Sequence, residues 1–257
     1  MIDLKKRLLK DKYNNDFSRK LIEAEQIFNS IFKVCGNKME YGCGSYLIGS
    51  QKYDYSIDMY DKQKILYERS KNVNSVLEIG TYMGHSILIM LLANPHLHIT
   101  AIDIDDTYSP KAIQLLQSKF INAKIDFIHG NSLNILPKIN KKFDFFHIDG
   151  AHGNTTITQE FTYCKKLSSS NDFKLIFDDV EVCNTLQKNI HSSYNVIEHN
   201  TPNCINKNKY MHIKINSDFK KNHKENRKFM MYVAISFLKE FPSRLFRFLA
   251  RKIEKNK

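Results

Sequence analysis

Residues 76–86 combine a short apolar strand, a carboxylate, two glycines and the start of an apolar helix, and this order constrains the fold more than any other feature. Gly80 and Gly84 allow a tight backbone reversal and the close approach of a ligand. The free N–H groups of the following helix point into the same space, where they favour polar or anionic groups. The segment therefore predicts a nucleotide-binding turn between a strand and a helix.

The spacing of the glycines narrows the class of nucleotide. A dinucleotide fingerprint would need glycines at positions 80, 82 and 85, but Tyr82 and His85 occupy the second and third of these positions. The sequence therefore disfavours NAD or FAD as the ligand.

Polar or acidic side chains end each later apolar run. They are Asp103 after 99–102, Asn131 and Ser132 after 127–130, Asp149 and His152 after 143–148, and the pair Asp178 and Asp179 after 175–177. In an open parallel sheet, ligands bind beyond the carboxyl ends of the strands. We therefore expect these side chains to lie along one edge and to form one site.

Strand and helix patterns alternate along the chain, which predicts an α/β fold. The expected architecture is a Rossmann-like, seven-stranded, mostly parallel sheet with helices on both faces, preceded by an amphipathic helix over residues 16–35. Ser109 before Pro110 predicts a helix N-cap. The expected strands are 75–79, 98–103, 124–129, 143–148 and 174–178, with a closing pair at 194–198 and 210–215, and the expected helices are 84–93, 110–121, 155–167 and 181–191.

Composition indicates a globular, intracellular protein. The first ten residues include five charged side chains and lack the apolar stretch of a secretory signal, and the five cysteines include no C-x-x-C pair. Reduced thiols are therefore favoured over disulfides or a zinc site, and we expect a cytoplasmic location.

The basic excess of the chain lies mainly in its last forty residues. Residues 218–257 contain 12 Lys and Arg against 4 Asp and Glu. A basic amphipathic helix is expected beyond Pro242, and the apolar run 229–238 is too short to cross a bilayer. This tail could contact a membrane surface, a protein partner or a second copy of the chain, with nucleic acid less favoured. The expected division is residues 1–60 as an N-terminal helix and lid loop, 61–216 as the α/β domain, and 217–257 as the tail.

Residues 60–215 resemble the class I S-adenosylmethionine-dependent methyltransferases, because the string E-x-G-x-x-x-G-x-S at Glu78–Ser86 is similar to their first motif. The segments Ile148–His152 and Phe177–Asp179 are similar to motifs of metal-dependent O-methyltransferases. The similar groups act on catechols, caffeoyl-coenzyme A, and macrolides or amino sugars, and include cephalosporin-hydroxylase-like proteins.

The resemblance implies S-adenosylmethionine as cofactor and assigns its contacts. Gly80 and Gly84 would border the methionine part, and Asp103 would accept the ribose hydroxyls. Asp103 could instead be an ordinary acid at a strand end. The other implied contacts are Glu78, Thr81, Tyr82 and Ser86 in and around the turn, Asn131 and Ser132 near the adenine, and Asp149.

The resemblance also implies a divalent metal held by Asp149, Asp178 and Asp179. Carboxylate oxygens suit Mg²⁺ or Mn²⁺ and do not suit zinc. Asp149 and His152 are the expected catalytic residues, with the His152 imidazole as the base for an acceptor hydroxyl. In the alternative interpretation, the three aspartates cap helices or end strands in solvent, and His152 has a supporting role.

The expected function is divalent-metal-dependent O-methylation, from S-adenosylmethionine, of a small hydroxylated acceptor such as a sugar or a catechol-like ring. One rival is a nucleic-acid methyltransferase, which the basic tail favours, although the N/D-P-P-[YF/W] signature of amine methylation is missing after the fourth strand. The other rival is a cofactor-binding partner protein without catalysis.

Overall fold

The structure is a computed structural model. It describes residues 3–8, 13–39, 53–151, 153–170, 174–178, 195–200 and 209–214, together with Met231, Ile235 and Leu238.

Helices and strands alternate through the central part of the chain. The strands are β1 (Ser75–Ile79), β2 (His98–Asp103), β3 (Lys124–His129), β4 (Phe145–Ile148), β5 (Lys174–Phe177), β6 (Asn195–Asn200) and β7 (Lys209–Lys214). The helices are α1 (Leu4–Leu8), α2 (Asp16–Glu23), α3 (Glu25–Val34), α4 (Tyr60–Ser70), α5 (His85–Ala93), α6 (Ser109–Lys119), α7 (Ser132–Ile135) and α8 (Asn154–Leu167).

The strands form one sheet in the order β3-β2-β1-β4-β5-β7-β6. Neighbours among β1 to β5 run parallel, whereas β7 runs antiparallel to both β5 and β6. The predicted α/β fold is confirmed, and the parallel part of its sheet consists of the five strands β1 to β5. Because β1 lies between β2 and β4, the carboxyl ends of these three strands are adjacent.

Side chains of the parallel strands alternate between two hydrophobic clusters, one on each face of the sheet. The first cluster packs against the helices of residues 4–34, 60–70, 85–93 and 109–119, and the second packs against α7 and α8. Val76, Ile99, Ala101, Phe145 and Ile176 belong to the first cluster, and Leu77, Ile102, Phe146, Leu175 and Phe177 belong to the second. Helices therefore cover both faces of the sheet. The edge where the parallel strands end is the place left for a site.

The structure corrects two predicted elements. The single helix expected over residues 16–35 is two helices, α2 and α3, because the Ala24 backbone leaves helical geometry with ψ at 1°. The strand expected from Phe143 begins at Phe145, because Phe143 forms an isolated bridge with Ser168 and Asp144 N–H donates to Ser75 O.

Several predicted segments lie outside the described residues. They include the helix at 181–191, residues 41–52 of the expected lid loop, and nearly all of the basic tail. Met231, Ile235 and Leu238 of the tail are helical, and their side chains are exposed. Across the described part of the chain, no helix is long and apolar enough to cross a membrane.

Candidate functional site

The turn after β1 lies directly on the loop after β4. Gly80 has a φ of +87°, and a Cβ atom there would lie 2.1 Å from the Asp149 carbonyl oxygen and 2.8 Å from Gly150 Cα. Its N–H donates to Ile102 O at 2.9 Å. Only glycine fits this contact, and it brings the ends of β1, β2 and β4 together.

The turn closes at Gly84, which precedes α5 with a φ of +69°. A Cβ atom at Gly84 would lie 3.1 Å from Leu116 Cδ1. Tyr82 also adopts a positive φ, of +45°, which is uncommon for a residue with a side chain. The predicted tight reversal is therefore present, and it ends at the N-terminus of a buried helix.

Asp103 holds the turn through its carboxylate. Its Oδ2 accepts hydrogen bonds from Thr81 N and Tyr82 N, both at 2.6 Å, and from Ser109 Oγ at 3.2 Å. Its Oδ1 accepts from Asp105 N at 2.9 Å. The structure therefore places Asp103 beside the glycine turn, and its assignment to ribose stays a prediction.

The expected N-cap at Ser109 is wrong. Asp105 Oδ2 accepts from Tyr108 N and Ser109 N and so caps the start of α6. The Ser109 hydroxyl donates instead to Tyr82 O at 3.0 Å and to Asp103. Ser109 thus helps to fix the turn rather than the helix.

Glu78 holds the turn in place through the contacts of its buried carboxylate. Its carboxylate accepts from Ser86 Oγ at 2.5 Å and from Thr81 Oγ1 at 3.2 Å, and it pairs with His147 Nδ1 at 3.0 Å. Glu78 and His147 are fully buried. The network joins β1, β4 and α5, so Glu78 and Ser86 act by fixing the backbone around the site.

The residues expected near the adenine lie after β3. Asn131 Oδ1 accepts from Leu133 N at 2.9 Å and caps α7. Ser132 Oγ donates to Glu160 Oε1 at 2.6 Å. Both residues therefore have local partners, and their contact with a cofactor stays a prediction.

Sequence reasoning missed Glu160. Its side chain is fully buried on α8, and burial raises its pKa to about 7, although the hydrogen bond from Ser132 opposes the rise. Its Oε2 has no hydrogen-bond partner in the part of the chain that the structure describes. One feature of the sequence does indicate its burial: Glu160 lies between Ile157 and Phe161, on a helix face that is otherwise apolar.

His85, which ruled out a dinucleotide fingerprint, lies buried at the first position of α5. Tyr53 OH donates to Phe28 O at 2.5 Å and lies 3.0 Å from His85 Nε2. This arrangement assigns the ring proton to Nε2. Burial lowers the pKa of His85 to about 3, so the imidazole is neutral near physiological pH.

Asp149 and Asp178 come together as predicted from the two motifs. Asp149 N donates to Ile79 O at 2.8 Å, and Asp178 N donates to Ile148 O at 2.9 Å. The two carboxyl groups are hydrogen-bonded to each other. Adjacent parallel strands thus bring two of the three predicted metal ligands to one point, next to Gly80.

A second residue that sequence reasoning missed is Lys62 of α4. Its ammonium group contacts Asp178 Oδ2, and the side chains of Lys62 and Asp178 are only 3% and 4% exposed. Burial alone would raise the pKa of Asp178, but the Lys62 charge, the hydrogen bonds from Lys62 and Asp149, and the His147 charge hold it below its usual value.

The donor set does not fit a divalent cation well. Asp149 and Asp178 supply hard oxygens, but the Lys62 ammonium is already in contact with Asp178 and would repel a second positive charge. Within the described residues, no group of three His, Cys, Asp or Glu side chains could hold a metal ion. Asp179 and His152, the third expected ligand and the expected base, lie outside those residues.

The comparison with known families agrees with this geometry. Residues 77–180, which run from the Glu78 network to the end of the Asp178 motif, match a family model described as a methyltransferase domain. The similarity to methyltransferase domains therefore covers the part of the chain that carries the predicted site. The matched segment begins within β1 and includes β2 to β5.

One protein of known family is similar to part of this chain. A caffeoyl-CoA O-methyltransferase-like protein of Arabidopsis thaliana is 37% identical over 82 residues, which are 30% of this chain and 35% of that protein. The chain thus matches about a third of the length of this relative.

Solved structures share the fold at low sequence identity. The O-methyltransferase from Bacillus cereus in complex with S-adenosylhomocysteine has a TM-score of 0.58 and 15% identity, covering 83% of this chain and 100% of that one. A caffeoyl-CoA O-methyltransferase-like protein from Staphylococcus aureus has a TM-score of 0.54 and 19% identity, covering 82% and 100%. At these identities the likeness concerns the fold.

Proposed function

We propose that this protein transfers a methyl group from S-adenosylmethionine to a hydroxyl of a small acceptor such as a sugar or a catechol-like ring. The observation that carries the proposal is the Gly80 turn, packed on the Asp149 backbone and followed by a buried helix. The turn lies in a segment that matches a methyltransferase domain. Backbone N–H groups at such a turn suit the carboxylate of a methionine moiety.

The proposed reaction is a direct displacement at the methyl carbon. The acceptor oxygen forms a bond to the methyl group, the S–CH₃ bond breaks, and its electron pair stays on sulfur to give S-adenosylhomocysteine. The hydroxyl proton passes to a neighbouring base, for which His152 and Asp149 are the proposed groups. Holding the donor and the acceptor in line lowers the barrier to this displacement.

The proposal assigns different roles to the acids at the edge of the sheet. Asp103 fixes the turn and is the proposed contact of the ribose, whereas Asp149 is a proposed base for the acceptor hydroxyl. Glu78 is too deeply buried to touch a ligand and supports both regions. The proposed reaction uses neither Mg²⁺ nor Mn²⁺, because Lys62 already contacts Asp178.

Calorimetry with S-adenosylmethionine tests the cofactor assignment. Asp103→Ala should weaken binding by about tenfold or more, because the turn loses three hydrogen bonds to one carboxylate oxygen. Asp106→Ala, three residues away and exposed, is the matched control and should bind normally. Equal affinity for Asp103→Ala and the wild type would exclude this role for Asp103.

Methyl transfer is measured as release of S-adenosylhomocysteine across a panel of sugars and catechol-like compounds. Asp149→Asn should retain cofactor affinity and lose turnover. Cofactor binding without transfer to any hydroxylated acceptor would instead support a protein that binds the cofactor without catalysis.

A further inference from the structure

Lys62 is buried at the place where the sequence predicts a metal ion. It belongs to α4, and its partner Asp178 lies 116 residues later, at the end of β5. Both side chains are almost completely excluded from solvent. A charged lysine at such a depth requires a fixed negative partner.

The position of Lys62 is set by contacts of its own helix. Tyr60 OH lies 2.7 Å from Ser18 Oγ and accepts from Asn15 Nδ2 at 2.7 Å. Tyr55 OH donates to Gln63 Oε1 at 2.9 Å. The N-terminal helices thus hold the start of α4 against the sheet, and Lys62 extends from this fixed segment.

The carboxyl pair needs a positive charge. Asp149 and Asp178 lie within hydrogen-bonding distance of each other, and Asp178 is buried. A buried carboxyl group is stabilised by a cation in direct contact with it. The Lys62 ammonium is in contact with Asp178 and supplies a positive charge beside the pair.

We propose that the Lys62 ammonium occupies the role of the predicted divalent cation, so that the Asp149–Asp178 pair does not take up Mg²⁺ or Mn²⁺. Lys62 is then a positioning residue that holds Asp178 and, through it, Asp149. Its effect on methyl transfer rests on the proposed function, but its effect on metal binding does not.

Binding of Mn²⁺ alone, followed by electron paramagnetic resonance of the free ion, tests the proposal. The wild type and Asp178→Asn should bind Mn²⁺ equally, because Asp178 takes no part in metal binding while Lys62 is present. Lys62→Met removes the charge and keeps the length, and it should bind Mn²⁺ at least about tenfold more tightly than the wild type. Lys64→Met, on the same helix but less buried, is the control and should behave as the wild type.

Two results would overturn the proposal. One is Mn²⁺ binding by the wild type that Asp178→Asn abolishes, which needs no Lys62 variant and so does not depend on how Lys62→Met folds. The other is a folded Lys62→Met protein whose Mn²⁺ affinity equals that of the wild type. Both measurements omit the cofactor and the acceptor, so their outcome does not depend on the proposed function. Calorimetry with S-adenosylmethionine tests that function separately.

Discussion

Replacing Glu160 by glutamine should stabilise the protein at high pH and not at low pH. The carboxyl of Glu160 has an ordinary pKa of 4.5 and a pKa of about 7 in the folded protein, because it is buried. A folded-state pKa above the unfolded value means that the unfolded chain releases the proton first. Stability therefore falls as the pH rises from about 4.5 to about 7.

The size of this effect follows from the two pKa values. At about 1.4 kcal/mol for each pKa unit, ionisation of Glu160 costs about 3 kcal/mol of unfolding free energy at pH 8 and less than about 1 kcal/mol at pH 5. Glutamine has no charge and can still accept the hydrogen bond from Ser132. Its amide nitrogen lacks a partner where Oε2 now lies, which lowers the gain at both pH values.

Urea unfolding of the wild type and Glu160→Gln at pH 5 and pH 8 measures the difference. The effect of the substitution should become more favourable by about 2.5 kcal/mol from pH 5 to pH 8. Glu23→Gln, at an exposed position with 65% of the side chain accessible, is the matched control and should show almost no pH dependence. An effect of Glu160→Gln that is the same at both pH values would refute the assignment of a buried, protonated carboxyl.

Two further predictions concern the glycine turn and the helix after it. Gly80→Ala should cost several kcal/mol in urea unfolding and abolish S-adenosylmethionine binding, because its Cβ would overlap the Asp149 backbone. Gly36→Ala has a similar φ of +84° but open space around it, so it should cost only about 1–2 kcal/mol, and equal costs would contradict the contact argument. The pKa of His85 is about 3 when folded, so the unfolded chain takes up a proton first and wild-type stability should fall by about 2 kcal/mol between pH 7.5 and pH 5 from this residue alone. His85→Gln should remove that part of the pH dependence in urea unfolding, and a slope equal to that of the wild type would contradict burial of a neutral ring.

The first three strands along the chain could be predicted closely from the sequence. The observed bounds of β1, β2 and β3 are those expected from the apolar runs and their polar ends. These runs are short and bounded by turn residues, and their apolar residues are continuous or alternate with polar ones, so local pattern is sufficient for such segments. The glycine turn was also predictable, because positive φ and a close backbone contact both require glycine.

The break between α2 and α3 could not be predicted, because no glycine or proline marks it. Residues 16–35 have apolar residues at helical spacing throughout, and Ala24 is itself a good helix former. Ala24 is buried against the first hydrophobic cluster. Packing of the whole segment, rather than local preference, therefore determines where the helix ends.

Lys62 shows why part of the site was beyond sequence reasoning. Within Asp61-Lys62-Gln63-Lys64, the sequence does not distinguish one lysine from the other, and such a polar run normally faces water. Only the placement of α4 against the end of β5 distinguishes Lys62 from Lys64, since it brings the first to a buried carboxylate. The sequence could therefore place Asp149 and Asp178 at one edge of the sheet, but the cation that compensates them lies on a helix outside the strand series and depends on tertiary contact alone.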